Sequence, residues 1–170
     1  MKKLIIFVVI FNFAFVLKAQ GDIDFGITAG YLNARASIKG DGLTISDSAS
    51  GFYAGLVVDF KATETFHIQP ELLYLNVEDG EALMLPIMGK FYITDKLNFQ
   101  AGPQLVFALE DVPQDFSSVE FDLAGGLGID ITDQFFMEGR YSVQINNSYT
   151  GPEDIKLRGN YLTIGAGYKF

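Results

Sequence analysis

From position 21 onward the chain alternates apolar and polar residues with a period of two. The segment GFYAGLVVDFK (51–61) places Phe52, Ala54, Leu56, Val58 and Phe60 on one face and Tyr53, Gly55, Val57, Asp59 and Lys61 on the other. Such alternation marks a β-strand with two unlike faces. The pattern appears eight times, with runs entered near Ile23, Phe52, Phe66, Leu83, Asn98, Val119, Met137 and Tyr161. Each run is roughly ten residues, the length a tilted strand needs to cross a bilayer. The fourth run is apolar on both faces, which puts Met84, Pro86 and Met88 on the face that is polar elsewhere.

The connections alternate between short and long. Short turns fall at 62–65, 94–96 and 132–134. KATETFHI, YITDKLNF and DITDQFFM share Thr, an acid, any residue and an apolar residue, which reads as one turn used three times. Longer segments at 38–50, 76–82, 110–118 and 146–156 are rich in Gly, Asp, Glu, Asn, Ser and Pro. Short turns at one end and long polar loops at the other describe an all-β, eight-stranded antiparallel up-and-down transmembrane barrel. GGLGID (125–130) lies inside a β-period run with no helix after it, so it is not a phosphate loop.

Alternation alone leaves open which face is the lumen. Volume argues the point: an eight-stranded barrel is only wide enough inside for side chains or one small ligand. The bulky apolar face suits the larger outer circumference. The face mixing Gly with charged and amide residues suits a narrow lumen. By parity, Asp24, Asp59, Lys61, Glu71, Lys90, Glu120, Asp122, Asp130, Glu138, Arg140 and Lys169 point inward, where they form a structural polar network. Glu138 and Arg140 share one face of a strand, and Glu71 is expected to approach Lys90. Tyr31, Tyr74, Tyr141, Tyr168, Phe60, Phe66, Phe99 and Phe170 fall near strand ends on the outer face, as aromatic girdles do.

The N-terminus reads as an export signal: Lys2 and Lys3, an apolar run over 4–17, and Ala19 as the small residue at cleavage. Residues 1–19 are thus expected to be a signal peptide and 20–170 the barrel, with both termini periplasmic. Losing Lys2, Lys3 and Lys18 takes the formal charge from −9 to −12, which argues against nucleic acid or anionic lipid headgroups as partners. The absence of Cys excludes disulfides and thiolate metal sites.

The C-terminal YLTIGAGYKF ends on an aromatic with apolar residues at alternate positions, and Tyr168 and Phe170 look like the assembly signal of an outer-membrane strand. Together with FHIQPELLYL, LPIMGKFYITDKLNFQAGPQL and the Thr-acid turns, it resembles the PorT-like family of outer-membrane β-barrel proteins, small barrels of the OmpX/OmpA type. Segments 69–74 (QPELLY) and 101–103 (AGP) are its most specific parts. The resemblance implies an outer-membrane location and, for some members, an accessory role in a protein secretion apparatus.

No catalytic, cofactor or metal set is expected. His67 is the single histidine, and the nearest imaginable partners, Asp59 and Ser142, lie in no hydrolase motif. The acidic loops read as solvated, with divalent cations bridging to lipopolysaccharide as the sharper reading. The expected function is a structural or interaction role through the outer loops. The expected partners are outer-membrane lipid, lipopolysaccharide, the barrel assembly machinery and an unidentified protein at the loops. The competing reading is a soluble secreted lipocalin-like barrel, which needs Phe52, Leu56 and Val58 inside. A diffusion pore is disfavoured by the strand count.

Overall fold

The computed structural model describes residues 23–40, 43–78, 80–153 and 155–170. The expected signal peptide lies outside the described residues. The chain forms eight strands: β1 (Ile23–Gly40), β2 (Leu43–Lys61), β3 (Phe66–Val77), β4 (Gly80–Tyr92), β5 (Leu97–Ala108), β6 (Val119–Asp130), β7 (Phe135–Gln144) and β8 (Lys156–Lys169). Each pairs antiparallel with its sequence neighbour, and β1 pairs with β8, so the sheet closes. Closure removes the edges that would leave backbone groups unpaired over the shared height of the strands.

The faces lie as the alternation predicts. Leu56 (58% exposed), Ile87 (52%) and Leu127 (56%) stand outside, whereas Val57, Met88 and Asp122 are buried inside. Phe52 and Leu56 face outward, opposite to what a ligand-holding soluble barrel needs. In β4 the parity holds despite its two apolar faces. Met84, Pro86 and Met88 occupy the lumen, where flexible thioethers fill irregular gaps beside Gly-rich strands. Near the short-turn end, outward rings touch: Phe66–Phe91 at 4.7 Å, Phe135–Tyr168 at 4.9 Å and Tyr168–Phe170 at 5.8 Å between centroids.

The three short turns are one structure. In each, the Thr hydroxyl accepts the backbone N–H three residues on: Phe66 to Thr63 at 2.9 Å, Leu97 to Thr94 at 3.0 Å and Phe135 to Thr132 at 2.9 Å. The N–H two residues on also reaches it, at 3.2–3.3 Å. A short side-chain oxygen thus satisfies turn donors that the ladder leaves free. The residue before each apolar position lends its carbonyl to a neighbouring strand, with Tyr92 N bonding Thr65 O, Asp130 N bonding Lys96 O and Lys169 N bonding Gln134 O, all at 2.8 Å.

Two of the expected long loops are not loops. Segment 38–50 continues β1 and β2, which pair from Ile23↔Phe60 up to Gly40↔Leu43. Its Ser, Asp and Gly content resembles loop composition, but Leu43, Ile45, Asp47 and Ala49 still alternate with Thr44, Ser46, Ser48 and Ser50. Segment 76–82 is also mostly strand, since β3 runs to Val77 and β4 restarts at Gly80. The two remaining long connections are real, and they are laced together. Ser117 N bonds Ser148 O and Thr150 N bonds Asp115 O, both at 2.8 Å, and the rings of Phe116 and Tyr149 meet edge to face at 5.6 Å.

Candidate functional site: a filled lumen beneath an open mouth

At the short-turn end Asp59 is fully buried and gathers cations. His67 Nδ1 lies 2.9 Å from its Oδ1, and the Lys169 and Lys90 ammoniums lie 3.4 and 3.5 Å from Oδ2. Lys169 also lies 3.6 Å from Asp130, whose carboxylate accepts the Tyr92 hydroxyl at 2.8 Å. The Phe136 ring lies beneath both ammoniums, with centroids 5.5 Å from Lys90 and 5.9 Å from Lys169. Lys61 and Asp24 pair at 2.9 Å on the more exposed rim.

The middle of the lumen is organised by Arg140. Its Nη1 donates to Glu71 Oε2 at 2.9 Å and its Nη2 to Glu71 Oε1 at 2.5 Å, a two-pronged carboxylate contact. Nη2 also donates to Glu138 at 2.7 Å, and Nε to Gln100 Oε1 at 2.7 Å. Gln69 joins this group to the one below, accepting from Lys90 at 2.9 Å and donating to Glu71 at 2.6 Å. Glu71 therefore does not pair with Lys90. In the β3–β4 register Lys90 stands opposite His67, so its ammonium meets Gln69 and Asp59, while Glu71 reaches across the lumen to β7. Further up, Asp122 accepts Gln104 at 2.8 Å and Ser142 at 3.3 Å. Ser142 is thus engaged away from His67.

Above this network an apolar layer spans the lumen: Leu32, Tyr53, Leu73, Leu75, Met84 and Val106. A Cβ at Gly165 would collide first with the Tyr53 side chain, and one at Gly30 first with the β8 backbone at Ile164 and then with the Tyr53 ring. Over this layer lies a cavity of about 510 Å³ open at the long-loop end. Leu32, Leu75, Val77 and Val106 line its floor, and Glu81, Glu110, Asp111 and Glu120 line one side. Glu120 accepts the Tyr161 hydroxyl at 2.7 Å. On the nearby β7–β8 connection, the Tyr149 pKa is raised by desolvation and by its hydrogen bond to Glu153. Among the described residues no three His, Asp or Glu gather where a metal ion could sit.

Residues beyond the charged set complete the network. Gln69 bridges Lys90 and Glu71, Gln100 accepts from Arg140 and donates to Asn98, and Gln104 donates to Asp122 and Ser142; inward parity was their only signal in the sequence. Tyr92 shares the inward parity of Met88 and Lys90, but nothing in strand four gives a reason to expect its hydroxyl to reach Asp130 on β6.

No family model matches the sequence, and no curated protein does. Among solved structures the chain is similar to Ail, the attachment invasion locus protein of Yersinia pestis, in complex with the heparin analogue sucrose octasulfate. The identity is 17%, 88% of this chain and 99% of that chain are covered, and the TM-score is 0.50. It is also similar to Neisserial surface protein A, at 14% identity, 86% and 97% coverage and a TM-score of 0.52. At these identities the likeness is one of fold, and the fold is that of the small closed eight-stranded barrel.

Proposed function

We propose that this protein is an integral outer-membrane β-barrel, not an enzyme, that works through its long-loop end while its own side chains close the lumen. The observation that carries this reading is the outer face. Thirty large apolar side chains stand exposed among the described residues, and strand after strand presents them outward. A soluble monomer rarely exposes an apolar patch beyond roughly 300–600 Å². Lipid is the solvent such a surface fits, and closure meets the backbone requirement of that solvent.

In this reading both termini are periplasmic, lipid and lipopolysaccharide surround the barrel, and the aromatic C-terminus is presented to the assembly machinery. The resemblance to PorT-like barrels supports a place in the envelope and leaves an accessory role in secretion as the finer reading. The heparin analogue bound by the Yersinia pestis protein is polyanionic, whereas at the mouth here acids outnumber bases, with Asp47, Glu81, Glu110, Asp111 and Glu120 against Arg35 and Arg158. Like charges repel, so an anionic sugar is not the ligand this mouth suits. The ion-pair network keeps the strands in register and blocks passage.

Cell fractionation followed by gel electrophoresis with and without boiling tests the reading. The expected result is an outer-membrane protein that resists extraction by carbonate and changes mobility on boiling. A protein that stays monomeric in buffer without detergent overturns it.

A further inference from the structure

We propose that the upper part of β2, residues 43–50, is an open sheet edge that receives an extended basic segment of another polypeptide as an added strand. This rests on the reading that the long-loop end faces away from the cell. Neighbouring edges at this end are sealed. Beyond its last pair with β7, β8 is capped by Gln144, Asn147 and Ser148, which bond Gly159 N, Leu157 N and Leu157 O at 2.6, 2.8 and 3.0 Å. Leu109 N bonds Glu81 O at 3.0 Å and Ala108 N bonds Ser118 O at 3.0 Å, closing the tops of β4 and β5.

The edge of β2 differs. β2 pairs with β3 only from Gly51↔Val77 downward, while its pairing with β1 continues to Leu43. Among the described residues no backbone group of another segment bonds residues 43–50 on the β3 side. The open stretch is eight residues, roughly 25 Å of strand. Ser48 N–H is turned off the β1 ladder and is held only by the Asp47 carboxylate at 2.8 Å. With a period of two, Ser46 N–H points to the same side. Main-chain donors and acceptors in a row have one matching ligand chemistry, another extended main chain.

Position and charge narrow the partner further. A strand added here lies above the β3–β4 turn, beside the open cavity, whose near wall is Ala34, Ala36 and Ala49. Its alternate side chains drop toward the apolar floor. The Glu110 carboxylate lies over Gly80, and Glu120 faces inward from β6, so long basic side chains fit, with stems on Val77 and Val106 and heads at the carboxylates. Arg35 and Arg158 also line the cavity, but Asp47, Glu81, Glu110, Asp111 and Glu120 outnumber them, so its balance is acidic. A second copy in the same membrane is a poor match. Its β2 descends in the same direction, and two strands tilted by roughly 35–45° about a shared normal cross instead of running side by side.

The test uses the full mature chain folded in detergent micelles and a fluorescent octapeptide of alternating Val and Lys, with binding read by anisotropy. The expected result is saturable binding that weakens about tenfold when alternate peptide amides are N-methylated, which removes main-chain donors and leaves charge intact. Ser46→Pro, tolerated on an open edge, is expected to weaken binding about as much, and Glu110→Gln to weaken it in a salt-dependent way. Heat-modifiability checks that each variant is folded. Absence of binding by a folded, heat-modifiable barrel overturns this proposal and leaves the membrane reading standing. Binding that ignores N-methylation and Ser46→Pro overturns strand addition in favour of plain electrostatics. Self-association abolished by Ser46→Pro overturns it in favour of a second copy. A chain that needs no detergent defeats the underlying reading instead.

Discussion

Replacing Arg140 by Met leaves two buried carboxylates, Glu71 and Glu138, facing each other without the guanidinium that now joins them. Arg140 is 6% exposed, and its donors reach Glu71, Glu138 and Gln100. Breaking a buried pair by removing one partner costs about 3–5 kcal/mol, because the remaining charge is left uncompensated. A net barrel stability of about 5–15 kcal/mol makes this a large fraction. Arg140→Lys keeps the charge but loses the two-pronged contact, and an intermediate cost of about 1–3 kcal/mol is expected. Removing the charges together, by Glu71→Gln and Glu138→Gln in the Arg140→Met background, is expected to recover most of the loss. The assay is urea unfolding in lipid vesicles, followed by far-ultraviolet circular dichroism and the folded band on unboiled gels. A double-mutant cycle between Glu71 and Arg140 is expected to give strong coupling, and one between Glu71 and Lys90 little. If Arg140→Met shifts stability by less than about 1 kcal/mol, the lumen is wet enough to screen these charges, and the argument from burial fails.

Removing the turn hydroxyls by Thr63→Ala, Thr94→Ala or Thr132→Ala is expected to cost about 1 kcal/mol each in urea midpoint, with Ser restoring most of it and the three effects adding. On the outer face, Leu127→Arg, in the half of β6 toward the short turn, is expected to cost about 1–3 kcal/mol in vesicles, between the midplane and interface values. An unchanged unfolding curve there places residue 127 in water and removes the lipid assignment. Gly165→Val puts a side chain where the Tyr53 ring lies, and a loss of about 1–3 kcal/mol is expected from overpacking. Tyr53→Ala in the same background should relieve part of that loss, and an additive outcome would show that the two do not share the space.

Period two along the chain determined most of the architecture without any coordinates: the strand number, the face each residue takes and the side on which the charges collect. Local chemistry determined the turns as well, because a Thr hydroxyl three residues before an apolar position meets its backbone donor whatever the rest of the chain does. Both are short-range effects. The partners of the lumen charges are not. Glu71 and Arg140 are 69 residues apart, and they meet because closing β1 onto β8 sets the stagger of all the strands and brings β7 across the lumen from β3. Parity could say only that both point inward. The open edge was equally hidden. Residues 43–50 carry loop-like Ser and Asp, and their strand state depends on pairing with β1, while their free side depends on β3 ending at Val77. The height at which each strand stops is decided by its neighbours, and that comparison exists only in the folded barrel.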